Sequence, residues 1–509
     1  QNNRTREFNQ SLESKFDIDY FLNKNTTLGA AYQGSFGQPD SRAVITSPTT
    51  LANDSYTLYG NTNANRNNYT NGIDIYLKQK LDTAGKSISI RGSWLQNATN
   101  GTETVLSSNS TDIMASDLAS KVFSQNTQRI TSFNLKTDAT LPLRLFSLSA
   151  GGKLSFRDIE NSAHTRPLSN DGDATNYTQN NRFEYRENIQ ALYATLDKQI
   201  KKWTFQLGLR GEFTQIKGSS ITNNQINTNT YFELFPNVSA SYAHNESHTY
   251  SINYGRRINR PGYHQLDPAR IYASANAYMV GNPLLQPSFS TIAKLSHTYK
   301  QFFTSSLSFD RVQNDARYIM MVDNASNQQV TTYQNFVTRE FYDFTNTVSF
   351  EPWQWLNNMS TIMVWYASAH SSTPQVAVNS KGLGAYFYTN NSLSLNKSKT
   401  WLADLSLMYI FPSTDGIYHI SDVSKVDVGL KFTPTKKTQV ALNAVDVFRS
   451  GKFNVNSLVN RIDQRIFYFP DNQFVLSVSY KFGNNSIKQD ESYRDDDDQQ
   501  RSKKKKGLF

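Results

Sequence analysis

Trp203-Thr204-Phe205-Gln206-Leu207-Gly208-Leu209-Arg210-Gly211-Glu212-Phe213 alternates between apolar and polar side chains almost without a break. Successive residues of a strand point to opposite faces. Trp203, Phe205, Leu207, Leu209 and Phe213 therefore share one face, and Thr204, Gln206, Arg210 and Glu212 the other. A helix would scatter the same residues around its whole circumference, so the period of two dictates a strand. The run is longer than the ~5 to 6 residues of an ordinary globular strand. It reaches the ~9 to 11 that a tilted strand needs to cross a bilayer.

The same signal returns along nearly the whole chain. Phe146, Leu148, Ala150, Leu154 and Phe156 oppose Ser147, Ser149, Lys153 and Ser155. Trp401, Ala403, Leu405, Leu407, Tyr409 and Phe411 repeat it, as do Val426, Val428, Leu430 and Phe432. Between the strands, tight links at Leu22–Thr26, Asp82–Lys86, Pro142–Arg144, Lys198–Lys202, Asn245–Ser247, Pro352–Trp355 and Pro434–Lys436 alternate with long polar stretches. Those stretches, Gly37–Asp54, Gln96–Gln125, Glu160–Asn181, Ile258–Pro287 and Ser450–Asp471, read as loops. Short turns at one end and long loops at the other is the outer-membrane arrangement, with the turns in the periplasm. The expected fold is all-β: one large antiparallel transmembrane β-barrel.

Composition agrees. Hydrophobic residues are 38% of 509, the mean hydropathy is −0.58, and no run approaches the ~20 apolar residues of a spanning helix. Yet 28 Tyr, 31 Phe and 6 Trp are present, as expected where half of each strand faces lipid and aromatic girdles mark both interfaces. Cysteine is absent, which excludes disulfides and thiolate metal sites. The formal charge of +10 is scattered along strands and turns, so no nucleic-acid partner is expected. The one dense basic run, Lys503–Lys506, lies beside Asp495–Asp498. Residue 1 is Gln and no signal peptide is present, as in a processed or trimmed chain.

Phe474, Leu476, Val478, Tyr480 and Phe482 form an outward stripe on the last strand. A final strand ending in an aromatic is similar to the C-terminal signal read by the barrel assembly machinery. Residues 1–482 are thus assigned to the barrel, and 483–509 to a charged periplasmic tail expected to be disordered, a solubility tail being the other reading.

Two central stretches carry a resemblance. Tyr254-Gly255-Arg256-Arg257-Ile258-Asn259-Arg260-Pro261-Gly262-Tyr263, followed by Leu266-Asp267-Pro268, resembles a mid-barrel segment of TonB-dependent receptors. Val280-Gly281-Asn282-Pro283-Leu284-Leu285-Gln286-Pro287 is similar to the GNP-x-L-x-P of that group. Ala444-Val445-Asp446-Val447-Phe448, then Gly451-Lys452-Phe453, resembles its penultimate strand, with Asp-Val-Phe where Asn-Leu-Phe is usual. The nearest likeness is to the receptor-like outer membrane protein beta-barrel family common in Bacteroidetes, over residues 6 to 482. Pro261, Pro268, Pro283 and Pro287 fix φ where the chain leaves and re-enters the sheet, and Gly262 and Gly281 permit turns.

Such receptors carry an N-terminal plug and a short box that engages TonB. Strand patterning here begins by Phe8, and Phe8–Tyr20 runs down into a tight turn, which starts the chain outside the cell. Counting onward gives about 19 strands, whereas single-chain bacterial barrels have even numbers. The resemblance implies about 22 strands, with roughly three and the plug upstream of Gln1.

No catalytic signature is present. His164, His244, His248, His264, His297, His370 and His419 form no HExxH pair, and no G-x-S-x-G or phosphate-cradling glycine loop occurs. No cofactor, metal or enzymatic activity is expected. Lys153, Arg210, Glu212 and Asp404 are expected on the lumen face, as a wetted wall or as groups that steer a polar ligand. Tyr263, Tyr272 and Tyr278, in the long central stretch, either stack on a ligand or pack that stretch. The resemblance implies uptake of a nutrient such as a siderophore, glycan or peptide through a TonB-gated lumen. The alternative is a structural barrel subunit of an envelope complex, with a lipoprotein or other envelope proteins as partners.

Overall fold

The computed structural model describes residues 2–482 except 52–53, 111–119, 169–178, 222–223, 275–276, 301, 324–327, 372–378, 416–417, 460–461 and 469–471. The tail expected over 483–509, and Gln1, lie outside the described residues.

One 21-stranded sheet dominates, with a second sheet of four short strands. Two members of the large sheet, Arg270–Ser274 and Ala277–Val280, are short. The other nineteen form an antiparallel meander in which each strand pairs with the next long strand in sequence. That is the strand count expected from the alternation. Local chemistry sets the turns. Asp82 accepts the Ala84 and Lys86 amides through Oδ1 at 3.0 and 2.9 Å, and Asn245 accepts those of Ser247 and His248, each at 2.9 Å. These side chains mimic a turn's own backbone hydrogen bond. Further short turns follow Tyr299 and Leu395; Lys300 and Lys399 take left-handed conformations there, with φ of 47° and 52°.

The apolar stripe faces outward. Leu207 is 51% exposed although it sits in mid-strand, where a soluble fold would cover it and a barrel offers it to lipid. From Trp203 to Phe213 the stripe runs about 33 Å along the strand, or about 25 Å along the membrane normal at a tilt of roughly 40°. That matches a hydrocarbon band. Aromatic rings gather at its short-turn border: Trp203 lies 4.7 Å from Tyr242, Trp353 stacks on Trp355 at 5.2 Å, and Trp401 on Phe432 at 4.2 Å.

The long polar stretches are mostly not loops, which corrects the sequence expectation. Thr26–Leu51, Ser87–Ser110, Ser120–Pro142, Ser147–Pro167 and Gln179–Ile200 all carry the sheet through residues that read as loop. Above the bilayer both faces of a strand are wet, so apolar alternation disappears while backbone pairing continues. The stretch Ser450–Asp471 likewise contains a hairpin, Phe453–Val459 with Ile462–Tyr468.

Among the described residues, Asn2–Asn23 pairs only with Thr26–Leu51, and Gln473–Tyr480 only with Thr438–Val445. Asn23 lies opposite Thr26 beside the first short turn, and Tyr480 opposite Thr438 beside the last. The two strands therefore run in the same direction, as an odd-numbered meander requires. Phe474, Leu476, Val478 and Tyr480 are exposed on that last strand, and Phe482 just beyond it.

Two stretches fold against the inner wall, and the buried apolar clusters form there. In one, Ile130, Ile159, Phe183 and Tyr185 of the wall meet Tyr263, Leu266 and Leu285. In the other, Ile319, Phe336, Val337 and Ala369 meet Tyr418 and Val455 of the four-stranded sheet.

Candidate functional site

The strand Ser147–Pro167 shows which face is the inner one. Leu154 and Phe156 are exposed outward, while Ser155, Arg157, Ile159 and Asn161 between and beyond them are buried. Only something resting on the inner face can bury them. That cover is the segment Arg260–Pro287, which leaves the sheet at Asn259 and re-enters at Ser288, its partner in the ladder.

Prolines and one glycine shape the segment. Pro261 cannot continue the ladder, and a single helical turn, Tyr263–Leu266, follows. Gln265 Oε1 accepts the Gly262 amide at 2.7 Å, closing that turn. A short hairpin, Arg270–Ser274 with Ala277–Val280, comes next. Gly281 then passes so close to Asp267 that a Cβ would lie 2.3 Å from the Asp267 carbonyl oxygen. The Gly281 amide donates to that oxygen at 3.0 Å. The glycine serves a close approach of two backbones, with its φ outside the left-handed region.

Side-chain amides pin the segment to the wall. Asn161 and Asn181 Nδ2 each donate to the Asp267 carboxylate at 3.0 Å. Asn227 donates to the Pro283 carbonyl at 2.8 Å, and Asn282 to that of Tyr333 at 2.9 Å. Asn335 Nδ2 donates to the Gln286 carbonyl at 2.9 Å, and Asn335 Oδ1 accepts the Gln286 amide at 2.8 Å. Burial pushes the Asp267 carboxyl above its ordinary range, against the opposing pull of the Ala269 amide and the two asparagines.

Beneath the segment lies an ionic network. Arg157 Nη1 donates to Glu187 Oε2 at 2.6 Å, both side chains buried. Arg260 Nη2 donates to Glu212 Oε2 at 2.6 Å and to Thr214 Oγ1 at 3.1 Å, and Arg260 Nε stands 3.8 Å from Glu187 Oε1. Arg210 Nε completes the Glu212 shell at 2.6 Å. Three guanidiniums thus face two carboxylates, and the excess positive charge is shared over a low-dielectric patch. A second network lies under the four-stranded sheet, where Asp315 Oδ2 accepts from Arg317 and Arg339 at 2.8 and 2.7 Å. Asp415 accepts from the same two arginines at 3.3 and 2.9 Å.

The residues singled out in the sequence take these places. Lys153 shares the face of Ser155 and Arg157, opposite Leu154. Arg210 and Glu212 belong to the network, and Asp404 accepts a hydrogen bond from Ser392 on the neighbouring strand. Tyr263, Tyr272 and Tyr278 are only 3%, 4% and 9% exposed. The Tyr263 ring sits 6.0 Å from that of Tyr185, with the Arg157 guanidinium 5.7 Å away. Tyr272 and Tyr278 pair across the hairpin at 5.7 Å, and Arg270 covers Tyr278 at 4.8 Å. All three rings pack the segment.

Sequence reading did not find Arg157, Glu187, Arg339 or Asp415 as members of a site. Arg157 and Glu187 carry a legible signal, a charge at an inward position of a strand, but their partnership spans separate strands. In the closing motif, Asp446 adopts φ 52°, and its carboxylate accepts the Ser450 and Gly451 amides at 2.9 and 3.0 Å. Asn and Asp both tolerate this conformation, so the departure from the usual Asn keeps the turn. Among the described residues no group of three or more potential metal ligands occurs.

A wide antiparallel wall with an apolar outer band and a charged, partly covered inner face defines an outer-membrane β-barrel. The chain belongs to the outer membrane protein beta-barrel family, whose model matches residues 79–480. A comparison with curated proteins found no match. Among solved structures, the fold is similar to the siderophore receptor PiuA from Acinetobacter baumannii, with a TM-score of 0.57 and 9% identity over 94% of this chain and 81% of that one. It is similar to the ferripyoverdine receptor of the outer membrane of Pseudomonas aeruginosa, solved with ferripyoverdine, with a TM-score of 0.56, 13% identity, and coverage of 94% and 71%. The ferric-catecholate import receptor Fiu from E. coli K12 gives 0.55 and 10%, over 94% and 81%. At such identities the likeness establishes the architecture.

Proposed function

We propose that this barrel is a receptor-type importer: it captures a nutrient ligand such as a siderophore, glycan or peptide at the cell surface and passes it through the lumen under a TonB-driven gate. The reading rests on one observation above others. The inner wall is polar, charged and constricted by the segment Arg260–Pro287, which is held by hydrogen bonds and ion pairs. A purely structural barrel has no need of a network that costs several kcal/mol per ion in desolvation. The shared architecture with siderophore receptors supports the same reading. In this account Lys153, Arg210, Glu212 and Asp404 line the path, and Tyr263, Tyr272 and Tyr278 hold the segment that a ligand displaces.

Uptake by cells tests it. Deletion of the gene should abolish growth on one of a panel of ferric siderophores, oligosaccharides or peptides, and loss of TonB should have the same effect. Unchanged growth on every member, together with stoichiometric co-purification of other envelope proteins in mild detergent, would favour the alternative of a scaffold subunit.

A further inference from the structure

The fold gathers onto one edge the charge that the sequence spreads along its length. Among the described residues, the nine turns along the edge that runs from Lys24 to Lys437 hold ten lysines and arginines and only two carboxylates, Asp82 and Glu246. Their net charge of +8 compares with a formal +10 for the whole chain. Seven of the nine turns carry a cation; Lys24, Arg144, Lys202 and Lys436 are among them, and all four are exposed. The opposite end mixes the signs: Arg186 meets Asp158 at 3.1 Å, and Arg182 meets Glu184 at 3.0 Å. Three of the turn lysines also sit where the backbone favours another residue. Lys201, Lys300 and Lys399 have φ of 52°, 47° and 52°, the left-handed region that glycine or asparagine enters at less cost. Turn geometry alone does not select lysine there, so the side chain has a use of its own.

We propose that this rim binds the anionic phospholipid head groups of the periplasmic leaflet, and that the barrel collects such lipids around itself. In barrels of this kind the short turns face the periplasm. Height favours lipid. Lys201 and Lys399 each lie two residues before an exposed tryptophan, Trp203 and Trp401, about 7 Å along the strand and roughly 5 Å along the membrane normal at a tilt near 40°. Such rings mark the head-group level, whose polar layer is about 5 to 7 Å deep, so the ammonium groups stand among the lipid phosphates. The Lys300 ammonium lies 5.4 Å from the centre of the Tyr299 ring, which shares the outward face of the exposed Leu295. Distribution favours lipid as well. A docked protein needs cations on one arc, whereas these follow the edge from its first turn to its last, as the surrounding leaflet does. An ammonium is a compact point charge suited to phosphate, and each one adds about fivefold to binding at an anionic surface.

The inference is independent of transport. The full chain, folded in an uncharged detergent, is incubated with phosphatidylglycerol and separated by gel filtration, and the lipid retained per barrel is measured. Phosphatidylcholine with the same acyl chains is the parallel probe, and inorganic phosphate is the competitor. Phosphatidylglycerol should be retained roughly fivefold better than phosphatidylcholine or more, and about 0.5 M salt should remove most of that excess. The triple variant Lys201→Gly, Lys300→Gly, Lys399→Gly should lower the excess roughly threefold or more. It should fold at least as well as wild type, because glycine relaxes all three left-handed turns. Heat-modifiable gel mobility reports folding, and the double variant Lys436→Gln, Lys437→Gln replaces the triple if that does not fold. Equal retention of the two lipids overturns the proposal, as does an excess that survives salt or is undiminished in a folded variant. Displacement of the lipid by an equal concentration of inorganic phosphate would make the rim a site for free anions and overturns it too.

Discussion

Arg260 Nη2 meets Glu212 Oε2 at 2.6 Å, joining the first residue of the inward segment to the middle of the barrel wall. Both side chains are nearly buried, but Glu212 is also held by Arg210. Removing Glu212 leaves three guanidiniums facing the Glu187 carboxylate alone, which should cost about 3 to 5 kcal/mol, whereas removing Arg260 leaves two guanidiniums facing two carboxylates and should cost less. Arg260→Ala and Glu212→Ala should each lower the urea midpoint of the detergent-folded barrel. The double variant Arg260→Met, Glu212→Leu should recover much of the loss. A double variant as unstable as the sum of the two singles would show that the pair is not coupled.

Gly281 leaves no room for a side chain beside the Asp267 backbone. Gly281→Ala must push the two stretches apart by an ångström or more and break the 3.0 Å hydrogen bond between them. A cost of about 1 to 3 kcal/mol is expected, as for overpacking. The damage should be local. Limited proteolysis should cut within Arg260–Pro287 in the variant while the membrane band stays intact.

The two faces of one strand should respond differently to charge. Leu207→Arg places a cation in the lipid-facing band and should cost ~2 to 4 kcal/mol or block insertion. Gln206→Arg adds the same charge to the wet inner face, where Gln206 now donates to Asp197 at 2.8 Å, and should fold normally. Equal damage from both would contradict the orientation of the strand.

Asp267 predicts a pH response. Its folded pKa is raised by burial above the unfolded value, so the folded state binds the proton more tightly. Its contribution is therefore largest below the unfolded pKa near 3.8 and is lost as pH rises through the folded pKa. The difference in unfolding midpoint between wild type and Asp267→Asn should shift in favour of wild type as pH falls from neutral towards 4. A difference that does not vary with pH would mean that the carboxyl titrates normally.

The sequence alone determined the barrel. Period-two alternation such as Trp203–Phe213 carries its own face assignment, because a strand's geometry sends alternate residues to opposite sides whatever lies around it. The tight turns were legible for a similar reason: Asp82 and Asn245 bond to backbone groups within four residues. Tertiary structure decided what happens above the bilayer. With water on both faces, no hydrophobic contrast distinguishes a strand from a loop, and only pairing with a neighbour made Gly37–Leu51 sheet. It also decided the site. Arg157, Glu187, Glu212 and Arg260 come from four separate elements, and Tyr263 is spent on packing because the segment that carries it folds back against the inner wall. Those partnerships depend on which strands end up side by side and where a proline-bounded segment lands, and local residue patterns hold neither.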